Sequence, residues 1–294
     1  MNEESDTMPT IKRSKEGTLP NLIIIGAMKC ATTSLHYYLN LHPQISMSHE
    51  KELNFFIRER NWDKGIEWYK SHFSGQAMIR GESSTGYTCY PWFVGVPERM
   101  CSVVPEAKLI YILRDPIERI ISQYIHHCAT DWENKTIAAA LANLDENIYI
   151  YISKYYMQLE QYLKYFPKSN ILIITMEYLS SHRQQTLQQV FRFLDVDDSF
   201  YSRKFSIIQH KSTYKRRKNR IGLSLAQTPV MDIVERLPFT IRGKAKILLY
   251  LPFSRKIERP TLDENLRAAL IDSLKDDINR LREYTGRNFE DWCV

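Results

Sequence analysis

Residues 26–35 read Gly-Ala-Met-Lys-Cys-Ala-Thr-Thr-Ser-Leu, between a short Ile-rich run and a helical pattern. Strand, small-residue loop and helix start together make an anion site. Backbone N–H groups and the positive end of the helix dipole converge on one point, and hydroxyls add donors. Against the triphosphate-loop pattern GxxxxGK[ST], Gly26 fills the first position and Thr33 the last, but Ala31 replaces the second glycine. Thr32 stands where the lysine belongs, and the lysine lies three residues upstream, at Lys29. A second group starts where the run Leu109–Leu113 ends in Arg114-Asp115-Pro116, with Ser122 two turns along the helix that should follow. An arginine fork and a hydroxyl on one side of a helix start suit a phosphate monoester. Arg114 also occupies the strand end where metal-dependent phosphoryl transfer would want an aspartate, which disfavours a kinase.

The elements that must position these residues are legible as short apolar runs: Leu22–Ile25, Ala77–Ile79, Leu109–Leu113 and Ile171–Ile174. Each has strand length and polar or Gly/Pro boundaries. Helical patterns lie between them, clearest where Ile152, Tyr155, Tyr156, Leu159, Leu163 and Phe166 share one face. Asp115 is a natural N-cap with Pro116 at the first helical position. A final long helix is predicted from a capping box, Thr261-Leu-Asp-Glu264, to a stop at Gly286. Alternating strands and helices imply an α/β fold with a central parallel sheet flanked by helices and a phosphate-loop-like first turn. Ligands of such sheets bind outside the carboxyl ends of the strands.

The net charge of +6 is local, because Arg203–Arg220 holds eight Lys and Arg and no acid. A confined basic patch points to an anionic ligand, with nucleic acid or an anionic membrane as the non-enzymatic alternative. Five cysteines with no CxxC or Cys/His spacing indicate neither a disulfide framework nor a zinc site, so a cytoplasmic protein without metal is expected. The polar start lacks a signal-peptide core, and no apolar run is long enough to span a bilayer. The expected organisation is a disordered tail at 1–18 and a single domain at 19–294, in which 203–259 forms a basic, then amphipathic, cover over the site. At this point the loop could still be a plain strand–helix turn, and Arg114 a surface partner of Asp115.

Several motifs in order make the reading specific. The loop Gly26–Leu35, the run Tyr111-Ile-Leu-Arg-Asp-Pro-Ile-Glu-Arg-Ile-Ile-Ser-Gln-Tyr124, Lys51-Glu-Leu-Asn-Phe-Phe56, Gly81-Glu-Ser-Ser-Thr-Gly-Tyr87 and Gly286-Arg-Asn-Phe-Glu-Asp-Trp292 resemble the PAPS-dependent sulfotransferases. The similarity is closest to the heparan sulfate sulfotransferase branch and its bacterial relatives. PAPS is 3′-phosphoadenosine 5′-phosphosulfate.

The resemblance implies that Lys29, Ala31, Thr32, Thr33 and Ser34 hold the 5′-phosphosulfate, and that Arg114 and Ser122 hold the 3′-phosphate. Lys215, Arg216 and Arg217 stand where the family closes a loop over the nucleotide, although the heparan-type Ser-Lys-Gly-Arg pattern is absent. It also implies in-line transfer with Lys29 stabilising the departing phosphate. The general base would be Glu52, in a Glu-x-x-Phe-Phe setting, with Glu82 the runner-up. The lysine that usually follows Glu82 is here Ser83. Tyr87, Tyr90, Trp92 and Phe93 are candidates to select a small-molecule or carbohydrate acceptor.

Overall fold

The computed structural model of the chain describes residues 17–73, 76–207, 215–218, 224, 228–235, 245 and 248–294. Residues 1–16 of the expected tail at 1–18, and much of the expected cover between 208 and 247, lie outside the described residues.

The main sheet is five-stranded, in the order β2-β3-β1-β4-β5, with every pairing parallel. Its strands are β1 (Leu22–Gly26), β2 (Ile45–Met47), β3 (Ile79–Ser83), β4 (Lys108–Leu113) and β5 (Ile171–Thr175). Leu22, Ile23, Ile24 and Ile25 have no exposed surface, because helices cover both faces of a parallel sheet. Each such side chain contributes roughly 1.5–3 kcal/mol through removal from water.

The helices in chain order are α1 (Thr32–Leu39), α2 (Gly65–Lys70), α3 (Val96–Val103), α4 (Pro116–Ala129), α5 (Ile137–Ala140) and α6 (Ile148–Tyr151). They continue as α7 (Tyr155–Leu163), α8 (Met176–Ser181), α9 (Arg183–Phe193), α10 (Pro229–Glu235) and the long closing helix α11 (Glu264–Thr285). A small antiparallel pair, β6 (Arg216–Lys218) with β7 (Ser254–Lys256), stands outside the main sheet.

Three readings of the sequence need correction. The third strand runs Ile79–Ser83, not Ala77–Ile79, so Glu82 lies inside it. The helical face from Ile152 to Phe166 is buried or half-buried as expected, yet the helix itself covers only Tyr155–Leu163. The closing helix is capped by Asp263, whose carboxylate accepts from the Leu266 N–H at 2.8 Å, and not by Thr261. Its end is as read: Gly286 takes the left-handed conformation (φ 66°).

The strand order places β1 between β3 and β4. The chain leaves β1 toward the β2 edge of the sheet and leaves β4 toward the β5 edge, so the switch point falls between β1 and β4. The turn after β1 therefore opens into the crevice at the switch point, flanked by residues 84–88 on one side and Arg114 on the other. Asp115 caps α4 by accepting from the Glu118 N–H at 2.8 Å. Its second carboxylate oxygen accepts from the Cys293 N–H at 2.7 Å, which docks the Trp292 segment on this corner. Trp292 stacks on Phe289 (4.3 Å between ring centroids) and packs against Tyr155.

Gly26 is required where β1 enters the loop. A Cβ there would lie 2.1 Å from Thr88 Oγ1, whose hydroxyl bonds the Ile25 carbonyl. Gly26→Ala is expected to destabilise the fold by about 1–3 kcal/mol, the usual size of an overpacking substitution. Urea unfolding monitored by circular dichroism measures it.

Candidate functional site

Two residues of the loop after β1 are left-handed, Lys29 (φ 72°) and Ala31 (φ 66°). Each such non-glycine residue costs about 1–2 kcal/mol relative to ordinary backbone. The alternation turns Cys30 into the core, where Tyr155 lies 3.9 Å from its sulfur, and burial pushes its thiol up to about 12. Ala31 stands at the N-cap of α1 without a side-chain bond, so the first amides of the helix face the crevice. Thr32 and Ser34 are buried and Thr33 is half-buried.

Cations converge on this loop. Lys215, next to β6, is within hydrogen-bonding reach of Lys29, and its ammonium also meets His126 Nδ1 on α4. Burial and the Lys29 charge lower Lys215 to about 7. Burial lowers Lys29 as well, with Arg114 and Arg119 contributing. His126 falls to about 3 through burial and the two lysines, so it is a neutral acceptor. His127 points elsewhere, to the Tyr149 hydroxyl at 3.0 Å.

Arg119 behind them has no exposed surface. Its guanidinium donates to Ser153 Oγ, Gln123 Oε1 and the Tyr149 carbonyl at 2.6–2.7 Å, all neutral acceptors. Its charge is therefore uncompensated locally and adds to the positive potential of the loop. The sequence reading missed Arg119, which looks like a surface residue of an amphipathic helix.

Arg114 is half-buried and pairs with Glu118 at 3.1 Å, not with Asp115. Glu118 also meets Arg259. Ser122 is buried four residues beyond Glu118 on the same face of α4. An open cleft beside Arg114 is lined by Asp115, Glu118, Met176, Glu177, Ser180, Asp291 and Cys293. Among the described residues of the basic run, Lys215 is the one that reaches the loop. Arg216 donates to Ser254 Oγ and its carbonyl within the small sheet, and Arg217 lies 3.7 Å from Asp131.

The two glutamates differ sharply. Glu52 lies in a loop, its side chain 39% exposed. It accepts from the Thr85 N–H at 2.7 Å and from Lys51 Nζ at 3.0 Å. The same ammonium lies 3.3 Å from Thr32 Oγ1, so Lys51 joins Glu52 to the phosphate-binding loop. Sequence spacing gave no sign of that bridge, since Lys51 reads as an ordinary neighbour of Glu52. Glu82 is fully buried, and three hydroxyls engage its carboxylate. Ser83 turns inward to His36 Nδ1 at 2.8 Å. Because His36 Nε2 must donate to the Ser48 carbonyl, Nδ1 accepts here. Burial and the Lys51 charge lower His36 to about 4, which keeps it neutral.

The four candidate acceptor aromatics do not line one cleft. Tyr87, Tyr90 and Phe93 border a cavity of about 160 Å³ with Gln158, Gln161 and Lys164, which shares no lining residue with the loop. Tyr87 is 3% exposed there, and its hydroxyl is committed to Glu82. Trp92 is 43% exposed and packs edge-on against Tyr151.

Comparison with known proteins agrees with this architecture. Residues 19–246 match the sulfotransferase domain family, and the chain belongs to it. The membrane-associated sulfotransferase kil1 of Dictyostelium discoideum is 40% identical over 117 residues, 39% of this chain and 24% of that protein. Heparan sulfate glucosamine 3-O-sulfotransferase 5 of Mus musculus is 33% identical over 220 residues, 66% of this chain and 62% of that protein. The chain thus spans less than two thirds of either relative. The crystal structure of a sulfotransferase from Alicyclobacillus acidocaldarius shares the fold, with a TM-score of 0.68 at 23% identity, covering 94% of this chain and 100% of that one.

The lysine pair gives a pH signature. Lys215 titrates near 7 beside Lys29, and an anion bound between them raises that value. At pH 8 binding of adenosine 3′,5′-bisphosphate should therefore take up a proton, whereas below pH 6 Lys215 is already charged and uptake should vanish. Affinity should fall as pH rises above 7. Calorimetry in two buffers of different ionisation enthalpy measures the uptake, and Lys215→Met should abolish it.

Proposed function

We propose that this protein transfers a sulfuryl group from PAPS to a hydroxyl or amine of a small-molecule or carbohydrate acceptor. The observation that carries the reading is the Lys51 bridge. It sets the exposed carboxylate of Glu52 two hydrogen bonds from Thr32 of the anion loop. A transferase needs this juxtaposition of an acceptor-side base and donor-side cations.

The donor set fits PAPS by its chemistry: α1 amides, hydroxyls and two lysines for the phosphosulfate, and Arg114 with Ser122 for the 3′-phosphate. When bound, PAPS supplies the activated sulfuryl group and a phosphate leaving group. Lys29 and Lys215 neutralise charge at the loop, and a cation that meets charge developing in the transition state accelerates the step. Glu52 takes the acceptor's proton at a carboxylate oxygen, while the Thr85 N–H and Lys51 hold its orientation. Thr32 in the lysine position and Arg114 at the strand end favour this chemistry over a kinase.

Ser83 bonded to His36 leaves that position without the cation a sulfated glycan would call for, which supports a less anionic acceptor. Trp92 is the aromatic best placed by its exposure to meet it. The basic segment turns Lys215 into the site and pairs Arg216 and Arg217 internally, a poor arrangement for nucleic acid. No described helix is long and apolar enough to cross a membrane. The five free thiols support a reducing, cytoplasmic setting.

Thermal shift separates the readings: adenosine 3′,5′-bisphosphate should stabilise strongly, and MgATP and DNA should not. Arg114→Ala should weaken adenosine 3′,5′-bisphosphate by about 1.5–3 kcal/mol more than 5′-AMP, because only the former has the 3′-phosphate. Equal losses, measured by calorimetry, would remove Arg114 from that role. A screen with labelled PAPS across sugars, phenols and small alcohols identifies the acceptor. With it, Glu52→Gln should lower turnover by about 10²–10⁴-fold and spare affinity for adenosine 3′,5′-bisphosphate.

A further inference from the structure

Glu82 is a buried carboxylate with no cation against it, yet every hydroxyl around it points the same way. Its Oε1 accepts from Tyr69 at 2.6 Å and Tyr87 at 2.8 Å, and its Oε2 accepts from Ser84 at 2.7 Å. Two of these hydroxyls have a second partner. Ser84 Oγ receives the Asn54 N–H at 3.0 Å, and the Tyr87 oxygen receives the Phe55 N–H at 3.0 Å. A backbone N–H can only donate, so both hydroxyls must accept from the loop and spend their single proton on Glu82. The carboxylate therefore fixes the direction of two relays that end on the chain just after Glu52.

That stretch of chain is poorly able to hold itself. Glu52 (φ 60°) and Asn54 (φ 49°) are both left-handed without being glycine. No strand or helix includes residues 52–55, and their backbone bonds go to single partners. The Glu52 N–H meets the Ser83 carbonyl at 2.9 Å, the Glu52 carbonyl meets Asn54 Nδ2 at 2.8 Å, and the Leu53 carbonyl meets Asn61 Nδ2 at 2.7 Å. The N–H groups of Asn54 and Phe55 are the two held through Glu82.

We infer that Glu82 is a positioning residue for Glu52: through Ser84 and Tyr87 it holds the loop that aims the Glu52 carboxylate at the acceptor. This rests on Glu52 being the base. It also separates the two glutamates by role, one exposed and proton-accepting, the other buried and fixing hydroxyl orientation. Glutamine in place of Glu82 turns one oxygen into a donor. Whichever way the amide faces, at least one relay hydroxyl then loses its acceptor.

The test is amide hydrogen exchange at residues 51–58, read by NMR on the full chain, together with transfer kinetics. Ser84→Ala should speed exchange at Asn54, and Tyr87→Phe at Phe55, each by about tenfold, the size expected for one lost hydrogen bond. Glu82→Gln should speed at least one of the two, and Ser84→Thr, which keeps the hydroxyl, should leave Asn54 near wild type. Tyr69→Phe is the control, since Tyr69 bonds Glu82 but not the loop, and should leave both amides near wild type. With the acceptor from the screen, Glu82→Gln should lower kcat and leave affinity for adenosine 3′,5′-bisphosphate unchanged. Unchanged exchange at Asn54 and Phe55 in Glu82→Gln would overturn the inference, as would equal acceleration of the β1 and β4 amides. Should the exchange results hold while Glu52→Gln keeps full turnover, the base assignment fails and the relay into the loop stands. A Glu82→Gln enzyme that is dead with normal exchange would make Glu82 itself the base.

Discussion

Confined positive charge is the constraint on which the rest of this structure depends. Lys29, Lys215 and Arg119 crowd the carboxyl edge of the sheet, and Arg119 has only neutral acceptors around it. Burial makes charge on both lysines costly and lowers both, with Lys29 adding to the effect on Lys215 and Arg114 and Arg119 adding to that on Lys29. Such an arrangement persists only where a rigid frame imposes it. The frame is the parallel sheet, whose central strand is buried along its whole length and delivers the loop to the switch point. In the proposed function an anionic donor would relieve the repulsion, and the cost of assembling the cluster would become affinity for the nucleotide.

The acceptor side obeys a different logic. Glu52 would repel an anionic donor if left to itself, and Lys51 stands between it and Thr32 as a screen. In the proposed reaction that one ammonium would let a carboxylate work close to a phosphosulfate. The left-handed residues on both sides of the crevice, Lys29 and Ala31 in one loop and Glu52 and Asn54 in the other, show backbone held against its preference at the points of use.

How much of this was legible in the sequence follows from the range of the interactions. Strands β1, β4 and β5 announce themselves as Ile-rich runs, and the Asp115–Pro116 helix start is a local signal that the structure repeats. The third strand was misplaced because Ile79-Arg-Gly-Glu-Ser83 does not look like a buried strand. Gly81 is there for the close approach of Met47, and Glu82 for its hydroxyl partners, and neither need is visible along the chain. The three residues of β2 are too few to show a pattern. Lys51 and Arg119 were missed for the same reason: their partners come from distant segments, 19 and 30 residues or more away. Tyr87 was a candidate acceptor contact that could equally be core, because a core tyrosine and an exposed one read alike along the chain.

The docking of Trp292 and Cys293 against Asp115 bears on how the protein is made. Asp115 begins the helix that follows Arg114, and its second oxygen waits for the Cys293 amide, 178 residues later in the chain. During synthesis the sheet strands can pair as they emerge, but this corner keeps an open bond until residue 293 has cleared the ribosome. The Arg114 corner is thus finished well after the sheet and helix that frame it. A nascent chain holds the nucleotide loop well before it holds the corner that presents Arg114.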